Sequence, residues 1–193
     1  MVKFEALPLA DIYNSETEDA LKRFDCPKNR SVENFIRNKA YNFSLQGISQ
    51  THIVLALDGN NVKTVGFFAL SNKVITVPRS NVTVTFYKKI VKFGSVDAAS
   101  DSVTMSAPLI AQLGKNFSND YNKLITGKEL LMIACDKVRK AQDIIGGRAV
   151  FLECEDVPKL TAFYIDNGFV SFGRRAPGEG DDGDLIQMIR YQR

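Results

Sequence analysis

The order of apolar segments in the last third of the chain constrains the fold more than any other feature. Pro108–Lys115 (PLIAQLGK) is short and apolar and reads as a strand. Asn122–Leu131 (NKLITGKELL) then opens a long amphipathic helix, with Leu130, Leu131, Ala134, Val138 and Ala141 at helical spacing and Gly146-Gly147 as its stop. A further strand follows at Ala149–Cys154. Strand, helix and strand in that order give a crossover and a parallel pair. Asp156 as N-cap and Pro158 at an early position start a short helix, and Gly168 stands where a left-handed cap would end it. Phe169–Phe172 and Leu185–Tyr191 read as a hairpin across the polar loop Pro177–Gly183.

The first part of the chain is built from hairpins. Val2–Leu7 alternates as a strand, and Asp11–Arg30 is polar, with a turn at Phe24-Asp-Cys-Pro27. Ser31 is the expected cap of a helix carrying Val32, Phe35, Ile36, Ala40 and Phe43, with Gly47 just past its end. His52–Leu57 and Val62–Leu70 flank Asp58-Gly-Asn-Asn61, a hairpin signal, and Val74–Val77 extends the second strand. Asn81–Phe93 fits strand or helix equally, and Ser95–Ser102 reads as loop. The sum is one α/β domain over residues 1–193, a mixed and mostly antiparallel sheet of about seven strands with a central parallel pair and helices on both faces.

Composition narrows the function classes. The 45% hydrophobic and 24% charged content of the 193 residues is that of a globular protein. No apolar run is long enough to span a bilayer, and the N-terminus lacks the pattern of a secretory signal, so a cytoplasmic location is expected. Cys26, Cys135 and Cys154 are odd in number and widely spaced, which fits reduced thiols rather than a disulfide framework or a zinc site. The single histidine, His52, excludes multi-histidine metal sites and reads as structural. A net charge of +3 suits an anionic ligand but is no nucleic-acid footprint by itself.

The start of the long helix carries the clearest chemical signal. Lys123 and Lys128 oppose the helix dipole there at roughly 0.3–1 kcal/mol each, with Glu129 as the only offset. Gly127 sits in the first turn, where it costs about 1 kcal/mol against alanine. A polyphosphate at this end would convert both features from cost to attraction.

Tyr121–Leu131 (YNKLITGKELL) resembles motif A of the GNAT acetyltransferase superfamily, Q/R-x-x-G-x-G/A before a leucine-rich helix. Ala162-Phe-Tyr164 with Gly168-Phe169 is similar to its late F-Y-x-x-x-G-F signature. Asn122 and Ile125 depart from motif A, and of its glycines only Gly127 is kept. Phe24-Asp-Cys26, the helix from Ser31 to Phe43 and the Ser49–Leu57 strand are similar to the GNAT toxins of toxin–antitoxin pairs, with Pro27 in place of a glycine.

The resemblance implies acetyl-CoA as co-substrate and direct acetyl transfer to a primary amine in a ternary complex. Backbone N–H groups over Asn122, Lys123, Leu124, Ile125, Thr126, Gly127 and Lys128 would hold the pyrophosphate, chiefly from Leu124 onward. Backbone atoms of Leu113, Gly114 and Lys115 would pair with the pantetheine arm. Tyr164 would be the general acid toward the departing thiolate, a transfer from a phenol of pKa about 10 to a thiol of about 8.5. Glu153, Glu155 and Asp156 stand as base candidates. Two other readings stay open: a toxin-like enzyme acting on aminoacyl-tRNA, with Arg37, Lys39, Arg174 and Arg175 on phosphates, and a non-catalytic GNAT-like binding protein. A homodimeric copy, RNA and an antitoxin-like protein are the open partners.

Overall fold

A computed structural model describes residues 2–58, 61–178 and 183–192. The tips of both expected hairpins, 59–60 and 179–182, lie outside the described residues. Hydrogen-bonded strands follow the order β1 (Lys3–Pro8), β2 (Gln50–Asp58), β3 (Asn61–Pro78), β5 (Ser102–Lys115), β6 (Ala149–Glu155), β8 (Leu185–Tyr191), β7 (Val170–Arg175), with β4 (Ser95–Asp97) paired to β5. The chain divides into two compact units: Met1–Ser71 with Ala111–Cys135, and Asn72–Ile110 with Asp136–Arg193.

In the first unit, β1 (Lys3–Pro8) and β2 (Gln50–Asp58) pair antiparallel, as do β2 and β3 (Asn61–Pro78). Between β2 and β3 the partners pass from Val54↔Gly66 to Leu55↔Thr64, so Val65 is an extra, bulged residue. Four short helices follow or precede these strands: α1 (Leu9–Ile12), α2 (Ser15–Lys22), α3 (Arg30–Asn38) and α4 (Ala40–Leu45). The end of α1 and all of α2 fall in the stretch Asp11–Arg30, read from sequence only as polar with a turn. They are short, and Leu9 and Leu21 are their only buried residues, so packing rather than periodicity forms them. Asn29, not Ser31, caps α3, accepting from the Val32 amide at 2.9 Å. The helical pattern is broken at Lys39 (φ −120°), giving α3 and α4 instead of one helix.

Phe24, Phe35, Ile36, Ile53 and Phe67 build the core of this unit, with the Phe24 ring edge-on to Phe67 at 5.3 Å. The Phe24-Asp25-Cys26 turn is fixed from three sides. Cys26 donates its amide to Glu33 (2.8 Å), Arg37 donates to the Phe24 carbonyl (2.7 Å), and Phe117 donates to the Asp25 carbonyl (2.7 Å). Glu33 is buried. The Cys26 amide, then Arg37 and Arg30, hold its carboxyl below the usual range. Pro27 follows at the second position of a turn closed from Asn29 to Cys26, a position where proline is favoured and no glycine is needed.

The second unit holds α5 (Val84–Ile90), β4 (Ser95–Asp97), most of β5 (Ser102–Lys115), β6 (Ala149–Glu155), α7 (Pro158–Asp166), β7 (Val170–Arg175) and β8 (Leu185–Tyr191). The ambiguous Asn81–Phe93 segment is helical, capped by Thr83, and the expected loop at Ser95 contains β4. The expected crossover is present: β5 and β6 pair in parallel through Leu109↔Phe151 and Ile110↔Leu152. α6 (Gly127–Ile145) connects them, burying Leu130, Leu131, Ala134 and Val138. Its exit is held by Gln142, which donates to the Ala149 carbonyl at 2.7 Å, and by left-handed Gly146 and Gly147.

Asn116, just past β5, is 2% exposed and ties distant segments together. Its side chain donates to the Thr64 carbonyl (2.9 Å) and accepts from the Asp25 amide (3.1 Å) and from the Ser118 amide and hydroxyl (3.1 and 2.8 Å). Asn116→Ala leaves those half-buried groups without this partner and is expected to cost about 2 kcal/mol. Urea unfolding at neutral pH measures this; a change well under 1 kcal/mol would contradict the role given to the carboxamide.

Candidate active site

The site grows from the loop between β5 and α6. After Asn116 the chain makes a 3-10 stretch, Ser118–Lys123, in which Asn119 (φ 51°) and Asp120 (φ 61°) are both left-handed. Asn and Asp tolerate this conformation better than other side chains. Leu124 donates to the Tyr121 carbonyl at 3.1 Å and closes the stretch. The long helix therefore starts at Gly127, later than the expected start at Asn122.

Thr126 and Glu129 explain the late start. The Glu129 amide donates to the Thr126 hydroxyl (3.1 Å), and the Glu129 carboxylate accepts from the Thr126 amide and hydroxyl (both 2.7 Å). This is a capping box, written in the sequence as Thr126-Gly-Lys-Glu129. Among the described residues, the amides of Gly127 and Lys128 make no hydrogen bond. They are the unpaired end of a positive dipole.

Ile125, the main departure from motif A, is 2% exposed and belongs to the core. Lys123 pairs with Asp120 at 2.9 Å, and Lys128 is exposed and forms no ion pair among the described residues. Asn122 is half-buried.

Leu113, Gly114 and Lys115 lie at the end of β5 in the same unit. A Cβ on Gly114 would meet Val32 Cγ1 at 2.7 Å and Phe67 Cε1 at 2.9 Å, so that side of the strand is filled. A Cβ on Gly66 would meet the Gly114 carbonyl oxygen at 2.8 Å, so the two strands leave no room for a side chain there. Burial and neighbouring Lys28 push the Lys115 ammonium below its ordinary range, against the pull of Glu129. Lys28 sits over the Phe117 ring at 5.4 Å and was not singled out in the sequence.

Tyr164 belongs to the second unit. It is 8% exposed, with its ring edge-on to Phe163 at 5.1 Å and Phe169 at 5.8 Å. Gly168 (φ 85°) ends α7 in a Schellman motif, with Phe169 donating to the Tyr164 carbonyl and Gly168 to the Ile165 carbonyl. The expected cap at Asp156 is absent. Val157 takes the capping position without a side-chain bond, while Asp156 pairs with Arg174 at 2.7 Å. Glu153 accepts from Arg175 and Gln187, both at 2.9 Å. The cluster read as base candidates and the arginines read as phosphate contacts thus pair largely with one another.

The three thiols are buried. Burial, then the charges of Asp156 and Glu155, pushes Cys154 up to about 11, which is unsuited to a nucleophile. His52 stacks on Phe68 at 5.0 Å. No helix among the described residues is long and apolar enough to cross a membrane.

No family model matches the chain, and no curated protein matches it. Solved structures do, and the fold they share with this chain is GNAT-like. One is AtaT complexed with acetyl-methionyl-tRNAfMet, at 18% identity and a TM-score of 0.64, covering 95% of this chain and 94% of that one. Another is a bacterial toxin, at 14% identity and TM-score 0.65, covering 99% and 92%. A third is a tyrosine-to-phenylalanine variant of the toxin AtaT bound to the C-terminus of the antitoxin AtaR and acetyl-CoA, at 16% identity and TM-score 0.60, covering 95% and 91%.

The capping box is testable in solution. Thr126→Ala is expected to cost about 1 kcal/mol at neutral pH. The Thr126 hydroxyl and amide hold the Glu129 carboxyl below its ordinary range. Its contribution is therefore present above the unfolded pKa and is lost as pH falls through the folded value. Glu129→Gln should flatten the acid limb of stability between about pH 5 and 3, measured by urea melts across that window.

Proposed function

We propose that residues 1–193 act as one acetyltransferase domain that moves acetyl from acetyl-CoA to the α-amine of an aminoacyl-tRNA. The observation that carries this reading is the fold match over nearly the full length of both chains to AtaT, solved with an acetylated methionyl-tRNA. It narrows the broader expectation of an unspecified primary amine.

Side-chain chemistry supports the same acceptor. A lysine ε-amine, with a pKa of about 10.4, needs a base, whereas an α-amine at about 7.7–8 needs little help. Both oxygens of Glu153, the half-buried member of the acidic cluster, are engaged by Arg175 and Gln187. An acceptor with a sizeable neutral fraction near neutral pH, far larger than a lysine's, suits such a site.

Acetyl-CoA fits the residues at the start of α6. The free amides of Gly127 and Lys128 and the Lys128 ammonium would hold its diphosphate, and the backbone of Leu113–Lys115 would pair with the pantetheine arm. The Thr126 amide, expected to help, is taken by Glu129, so the cradle is narrower than the whole Leu124–Lys128 stretch. The Ile125 side chain, which departs from motif A, is turned into the core, and this supports the same reading. The co-substrate supplies an activated acetyl group, and the Tyr164 phenol holds the proton for the departing sulfur. The same likeness implies an antitoxin partner.

Charged tRNA incubated with acetyl-CoA and the protein should yield N-acetyl-aminoacyl ends by mass spectrometry. Acetylation of small amines with no change in charged tRNA would overturn the acceptor, and calorimetry without acetyl-CoA binding would overturn the enzyme. Tyr164→Phe should lower turnover by about 100-fold or more while acetyl-CoA affinity stays within about two-fold. Undiminished turnover in that variant would remove its acid role.

A further inference from the structure

A second feature of the first unit bears on how such a substrate is held. Tyr13, between α1 and α2, and Tyr41, on α4, stack face to face with ring centroids 3.5 Å apart and planes within 8°. Both are half-buried and line a groove of about 250 Å³. Glu18 and Lys22 of α2 and Arg37, Lys39 and Asn42 around the α3–α4 break also line it.

The charges of this groove are unequal. Lys22 is paired with Glu18 at 2.7 Å, and Arg37 is committed to Glu33 and the Phe24 carbonyl. Lys39 is exposed and forms no ion pair among the described residues. The α3–α4 break falls on this residue, so its position belongs to neither helix interior. Burial and then the Glu18 carboxylate raise the Tyr13 phenol above its ordinary value. A stacked aromatic platform flanked by a free ammonium and by side-chain amides is the chemistry that binds an unpaired nucleotide, with the π-face on the ring and the phosphate on the cation.

We infer that the Tyr13–Tyr41 groove is an RNA subsite that takes one unpaired nucleotide of the acceptor strand, stacked on the tyrosine pair with its phosphate at Lys39. The inference rests on the aminoacyl-tRNA reading for the identity of the strand. It adds a site on α2–α4 that is separate from the residues assigned to acetyl-CoA. The groove is too small for a folded element of a partner protein, and its free charge is cationic.

The test uses the full chain without acetyl-CoA and a fluorescent single-stranded RNA ending in CCA, followed by anisotropy at several salt concentrations. Tyr41→Phe keeps the stack and should bind within about two-fold of the parent. Tyr41→Leu, with folding checked by thermal melting, should weaken binding by about ten-fold or more. Lys39→Gln touches no fold contact and should weaken it about three-fold while making the salt slope shallower by about 0.7. Unchanged affinity and slope in Lys39→Gln, together with unchanged affinity in Tyr41→Leu, would overturn the subsite and leave acetyl transfer standing. If the parent binds no RNA, or if a peptide displaces RNA equally from the parent and Tyr41→Leu, the subsite is also overturned. Loss of acetyl transfer to charged tRNA with RNA binding intact would instead count against the catalytic reading alone.

Discussion

The buried carboxamide of Asn116 is the joint on which the first unit depends. Its donor reaches the Thr64 carbonyl at the bulge in β3, and its acceptor takes the amides of Asp25 and Ser118. Three chain segments far apart in sequence thereby share one hydrogen-bonding centre, 2% exposed. Such a centre is strong where every member is satisfied and costly where one is missing. It fixes where β5 ends and where the loop to α6 begins. It also fixes how the Phe24–Cys26 turn presents α3.

Electrostatics at the two candidate regions follow different rules. At the start of α6 the chain satisfies one amide with its own hydroxyl and another with its own carboxylate, and leaves Gly127 and Lys128 bare. At the end of β6, by contrast, carboxylates and guanidinium groups neutralise each other: Glu153 with Arg175, Asp156 with Arg174. The first arrangement keeps a local positive field available to an anion. The second consumes its charges in holding β6, β7 and the entry to α7.

Much of this was legible in the sequence where a local pattern decided the outcome. The strand–helix–strand order, the early hairpin, Gly168 as a left-handed cap and Pro158 at the first turn of α7 are all present. What escaped depended on distant partners. Asn116 acts on Asp25 across 91 positions, and no local spacing announces that bond. The helices at Leu9–Ile12 and Ser15–Lys22 have too few turns for periodicity to show. The tyrosine pair joins Tyr13 to Tyr41 through tertiary stacking alone. The capping box, by contrast, is a local pattern, Thr126-Gly-Lys-Glu129, and is legible without any distant partner. Arg174 and Arg175 could not be assigned from sequence, because only the β7–β8–β6 pairing reveals the carboxylates beside them.

The three buried thiols have a practical consequence. Cys26 and Cys135 lie in the first unit and Cys154 in the second, each at most 5% exposed. An alkylating reagent can reach them only when the surrounding packing opens. Each unit therefore carries its own unfolding clock. Matching labelling rates for Cys26 and Cys154 would mean that the two halves open as one cooperative body; diverging rates would mean that one opens while the other stays closed.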